Sequence, residues 1–145
     1  MMGGDVCHHG SEIRPSPHRP LPSDVDQGRY QVPASLTFCP GSLLFSALQT
    51  SRGKHPTEQP MVDPGNMDED RVASMGSMRE VQIPDSMDNV FFVFAHDYTL
   101  FDVIDVFPAP ANDWKTKGWA DKSHWRFLKD FAPAAAKLAE KETTA

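Results

Sequence analysis

The seven residues NVFFVFA at 89–95 constrain this chain more than any other stretch. They are apolar without alternation and rich in β-branched and aromatic side chains, the pattern of a strand covered on both faces. The run closes on His96 and Asp97. Two polar side chains at the carboxyl end of a buried strand occupy the usual position of a site in layered α/β proteins. Regular structure is otherwise expected late in the chain, because nine of the thirteen prolines precede Asp68. Proline removes a donor and interrupts helices and central strands, so 9–62 reads mostly as loop.

Around that run the punctuation predicts further elements. Residues 1–9 read as a short strand ending in a polar turn, and GSLLFSAL at 41–48 as a helical turn or two. Asp63 can cap a helix from about 64 to 81, with Pro64 at its first position and Val62 stapled against Met67. Asp68, Glu69 and Asp70 then lie in an acidic first turn, and Val72, Met75 and Met78 form a stripe expected in the core. In YTLFDVIDVFP, Leu100, Val103, Ile104 and Phe107 fall at helical spacing, which predicts a short amphipathic helix ended by Pro108. A last helix is expected over about 133–141, with the final ETTA frayed.

The length of 145 residues suits one domain, divided here into a main unit over 1–131 and a terminal helix and tail over 132–145. A net charge of -6 opposes binding to a phosphate backbone, so nucleic acid is not an expected partner. Trp114, Trp119 and Trp125 alternate with lysines and Arg126. Their plainer reading is large rings sealing an edge of the fold rather than base stacking. No window reaches the roughly 18 apolar residues of a membrane span, and the start lacks a secretion signal. A soluble cytoplasmic protein without a membrane partner, its Cys7 and Cys39 as free thiols, is the resulting expectation.

Asp5, Cys7, His8, His9, His96 and Asp97 are the candidates for chemistry. On an extended strand Asp5, Cys7 and His9 point one way and His8 the other, which sketches a weak zinc site without any recognised ligand spacing. The G-x-S-x-G elbow, the phosphate-binding glycine loop and the H-E-x-x-H helix are all lacking. His18, His55 and His124 stand in polar surroundings and read as ordinary surface histidines.

The segments GGDVCHH, RPSPHRPLPSD, FCPGSL, DNVFFVFAHDYTLFDVIDVFP and NDWKTKGWADKSHWRFLKDF, in that order, resemble the carboxy-terminal half of metallo-β-lactamase superfamily hydrolases, particularly a fungal branch. The resemblance covers residues 1 to about 131 and rests on the order and separation of the segments. It implies an α/β fold, a partial αββα sandwich with one sheet layer, flanking helices and a long irregular amino-terminal region.

It also implies a site of one or two metal ions, usually zinc. Asp5 in GGD matches the bridging aspartate of that family, and His96 in VFAHD matches its last histidine ligand. Asp97 would orient or flank His96, with the cap of the following helix as its other role. His8 and His9 have no counterpart among the ligands. The H-x-H-x-D-H motif and a further histidine of the family are not found in these residues, so no catalytic residue is assigned and hydrolysis is expected to be absent or very weak. Completed, such a site takes an ester, lactone, thioester or amide. The expectation is a piece of a zinc hydrolase; the rival is a small non-catalytic protein that binds a partner, or itself, through an exposed sheet edge.

Overall fold

The extended run predicted at 89–95 sends its side chains alternately into two different clusters. Phe92 and Phe94 pack with Cys7, Ile13 and Met78, while Phe91 and Val93 pack with Leu100 and Trp119. Both faces are thus covered, as the absence of polar alternation requires. This arrangement comes from a computed structural model, which describes residues 1–22, 48–49, 56–63 and 68–143.

The backbone of the run does not build a sheet. Among the described residues its distant backbone partner is the amino-terminal segment: Val93 N–H donates to Met1 O at 3.0 Å, Gly3 N–H to Val93 O at 2.7 Å and Ala95 N–H to Gly4 O at 2.8 Å. These bonds amount to a single parallel bridge, Met2 to Val93. Gly4, at φ +55°, turns the chain away before a second bridge can form. Among the described residues there are helices, turns and isolated bridges but no strand or sheet. The expected α/β fold, a partial αββα sandwich with its sheet layer, is therefore corrected, and so are the strands at 1–9 and 89–95. Extended residues become a sheet only when neighbouring backbones complete the ladder.

Helix α1 runs over Arg71–Asp85 rather than 64–81. Asp70 caps it, Oδ1 accepting from Ala73 N–H at 3.0 Å, so the acidic triplet precedes the helix instead of filling its first turn. Residues 64–67, with Pro64 and Met67, lie outside the described residues. The buried side of α1 is Met78, Gln82 and Asp85, spaced four and three apart. Val72, expected in the core, is exposed.

Beyond His96 the chain forms a 3-10 turn at Tyr98–Leu100 and further turns, not the amphipathic helix. Leu100, Val103 and Ile104 do pack together, but Phe107 is 94% exposed. Helix α2, Trp119–Ser123, starts after Gly118 at φ +65°. A 3-10 segment, Arg126–Phe131, leads into α3, Ala132–Thr143, which overlaps the helix predicted at 133–141. Trp119 and Trp125 are buried and Trp114 stacks on Phe91, with ring centroids 5.7 Å apart. A third cluster, Leu21, Met61, Trp125, Phe127 and Leu128, joins the amino-terminal loop to the last third of the chain. Of 41–48 only Leu48 is described, and Cys39 and His55 are not.

One buried ion pair ties these parts together. Arg14 Nε and Nη2 donate to the two oxygens of Asp85 at 2.9 and 2.5 Å, and Nη1 donates to the carbonyl of His124 at 3.1 Å. The fork links the amino-terminal loop, the end of α1 and the end of α2, and its bidentate geometry satisfies the carboxylate. His124, expected at the surface, is buried here. Burial, then the charges of Arg14 and Arg19, push its pKa well below 6.5.

Candidate metal centre

The turn at Gly4 and the end of the apolar run bring two ends of the sequence together. His96 Nε2 lies 3.2 Å from Asp5 Oδ1, across 91 positions, with the side chains 52% and 72% exposed. Met2, Gly3 and Gly4 anchor Asp5 beside the run through the bridge to Val93 and Ala95. His96 is the sole non-glycine residue with positive φ among the described residues, at +66°. A side chain in that region costs about 1–3 kcal/mol, and such positions cluster where a side chain must be aimed.

His8, which neither spacing nor resemblance had attached to the pair, stacks on His96 with ring centroids 5.5 Å apart at 26°. A signal existed in the sequence: once Asp5 sits in a turn, strand alternation no longer separates His8 from it. The alternation fails at Cys7 too. Cys7 is fully buried beside Phe92 and Phe94, and burial raises its thiol pKa, so the thiolate that binds zinc is disfavoured. Asp5, Cys7 and His9 do not share one face.

Asp97 is engaged locally. Its Oδ1 accepts from Thr99 N–H at 3.1 Å and from Thr99 Oγ1 at 2.5 Å, capping the 3-10 turn. His9 belongs to another network, Nε2 lying 3.0 Å from Asp130 Oδ2 and Nδ1 2.5 Å from Ser11 Oγ. Serine, histidine and aspartate are the components of a nucleophilic triad. Ser11, however, is 1% exposed and its own amide donates to His9 Nδ1, so the ring acts as a helix cap.

The pair can be tested against a metal ion by donor type and spacing. Imidazole nitrogen and carboxylate oxygen both suit zinc. Two ligands about 2.0–2.2 Å from a tetrahedral zinc stand about 3.4 Å apart, close to the separation found. Their number falls short. Among the described residues no three histidines, cysteines or acids are grouped so as to hold a metal, and a catalytic zinc takes three protein donors plus water. The pair fits part of a metal shell.

A groove of about 340 Å³ opens beside His96 and Asp97, walled by Tyr98, Leu100, Phe101, Ile104 and Val106. A cavity of about 350 Å³ between Glu12, Glu58, Asp63, Met78 and Arg79 contains neither Asp5 nor His96. No described helix is long and apolar enough to cross a membrane.

Comparison with known proteins finds relatives that match most of this chain. A γ-lactamase of Fusarium pseudograminearum is 38% identical over 133 residues, 92% of this chain and 32% of its own length. A metallo-hydrolase of Annulohypoxylon moriforme is 34% identical over 142 residues, 97% of this chain and 35% of its own. The chain is metallo-β-lactamase-like. It spans about a third of the length of these curated relatives. A cytochrome P450 monooxygenase of Penicillium brevicompactum is 32% identical over 133 residues, but these make up only 13% of it, and its name describes the whole. No family model and no solved structure matches the chain. The name metallo-hydrolase points to a metal as the cofactor within this metallo-β-lactamase-like group.

Proposed function

We propose that this chain contributes Asp5 and His96 as two donors to the zinc site of a hydrolase, with the remaining donors supplied from outside these residues. The approach of His96 Nε2 to Asp5 Oδ1 at 3.2 Å carries the reading. The hydrolase names of its relatives support it. A bound zinc ion supplies an acidified water and polarises a carbonyl. The chain's own part is to hold Asp5 and His96 at one point, His8 against the ring, for an ester, lactone, thioester or amide. With two donors, the 145 residues alone turn over substrate very weakly or not at all.

Zinc titration by calorimetry, with the visible spectrum of the cobalt form, tests this. The unaltered chain binds one ion, and Asp5→Ala or His96→Ala weakens it at least tenfold. Equal binding by the unaltered chain and the double variant sinks the proposal, and brisk zinc-dependent hydrolysis by the chain alone sinks the claim of weak turnover.

The exposed Met2, Phe101 and Phe107 favour a second reading, in which a polypeptide partner or a second copy covers apolar side chains such as these. Light scattering at rising concentration tests it. A monomer throughout removes self-association.

A further inference from the structure

We infer that the groove beside His96 is a binding site for the compact apolar body of a neutral carbonyl compound, whose polar end rests at His96. The inference rests on the hydrolase reading and adds to it the kind of molecule the site takes.

The lining is largely apolar: Val93, Phe94, Leu100, Phe101, Ile104 and Val106 supply most of it, and His96, Asp97 and the Tyr98 hydroxyl are its polar groups. Asp97 is occupied by Thr99, which leaves His96 as the group facing a ligand. Small-molecule sites have this composition, a mostly apolar lining with few polar groups that fix orientation. The volume of about 340 Å³ lies at the small end of such sites. That room suits a ring or short branched chain, not an extended lipid.

Tyr98 and Phe101 are 72% and 69% exposed, yet their rings lie 5.9 Å apart at 32°. Two aromatic faces held together in water leave apolar area to be covered, and a flat or compact apolar group covers it with little loss of side-chain freedom. The floor, Leu100 and Ile104, belongs to the cluster around Trp119, so the base of the groove is fixed by packing while its rim is open. No cationic side chain lines it. A neutral ligand is therefore favoured over an anionic one.

The test uses the full chain and two neutral amides that share a carbonyl, phenylacetamide and acetamide. In methyl NMR, phenylacetamide moves the Leu100, Ile104 and Val106 signals saturably, whereas acetamide at equal concentration does not. Tyr98→Ser and Phe101→Ser each weaken phenylacetamide about tenfold, and because both side chains are exposed the fold is kept, checked by spectral dispersion. Absent or non-saturating shifts overturn the inference, as does undiminished binding by both variants. Repeating the titration with zinc separates the two readings. Tightening by zinc that is lost in Asp5→Ala supports both. Saturable groove binding that zinc leaves unchanged keeps the groove and removes the metal.

Discussion

Two aspartate contacts in this molecule differ in surroundings, one to an arginine and one to a histidine. Arg14 and Asp85 meet in the interior, joined by two hydrogen bonds with a third to the His124 carbonyl, and almost no water reaches them. Asp5 and His96 meet at the surface, half or more exposed, with His96 held at a φ that side chains avoid. A buried pair is costly to break because the surviving charge loses its partner with no water to replace it, whereas an exposed pair leaves charges that water solvates. The interior pair is thereby committed to holding three segments together. The surface pair contributes little to stability and is free to exchange its partner for a ligand.

The largest effect expected from this contrast is at the interior pair. Arg14→Met leaves Asp85 without its fork and should cost about 3–5 kcal/mol, read from urea unfolding. Combining it with Asp85→Leu removes the stranded charge and should recover most of the loss. Asp5→Ala, by comparison, should shift stability by no more than about 0.5 kcal/mol. Similar losses from Arg14→Met and Asp5→Ala would erase the distinction drawn here.

Acid should act on the interior. His124 is held neutral by burial and by Arg14 and Arg19, with Asp85 Oδ2 3.9 Å from its Nδ1 as the opposing charge. Its pKa when folded is well below the 6.5 of an unfolded chain. Below about pH 6.5 the unfolded chain therefore binds a proton that the folded chain refuses, so this contribution to stability falls as the solution is acidified and is level above that pH. Urea midpoints measured from pH 7.5 down to 5 should decline, and His124→Gln should flatten the decline.

Gly3 connects the two regions and ranks next. A Cβ built there would stand 2.5 Å from Cζ of Phe92, a buried ring in the Cys7 cluster. Gly3→Ala should cost about 1–3 kcal/mol by overpacking. It should also displace the bridge that carries Asp5, so zinc affinity and stability fall together, unlike the Asp5→Ala outcome.

The sequence disclosed some of this architecture and hid the rest for identifiable reasons. Burial of 89–95 on both faces was legible because an apolar run without alternation leaves no face for water. The sheet was not, since a ladder depends on neighbours that the run itself does not specify. The start of α1 was misplaced because Asp63-Pro64 and Asp70 both have cap chemistry. The stripe rule also failed at Val72 and Phe107, each at an apolar position that nothing covers. His124 looked exposed because Lys122 and Ser123 precede it, while its burial is set by Arg14, 110 positions away. Asp5 and His96 stood among the candidates by residue type and position, but only the resemblance put them in one site, and nothing in local pattern joins them.

The smallest effect is the most specific to the surface site. At φ +66° the backbone of His96 carries a penalty of about 1–2 kcal/mol for its Cβ. His96→Gly removes it, while glycine's extra freedom in the unfolded chain returns about 0.5–1 kcal/mol of cost, leaving a net gain of at most about 1.5 kcal/mol. His96→Ala keeps the Cβ and with it the strain, and because both variants lose the imidazole, the exposed contact to Asp5 cancels between them. The difference in their urea midpoints thus isolates the backbone term. A glycine variant more stable than the alanine variant, with zinc binding weakened in both, would mean that the position accepts a strained conformation to aim a ring that stability does not need. Identical midpoints would place the strain elsewhere and leave His96 as an ordinary turn residue.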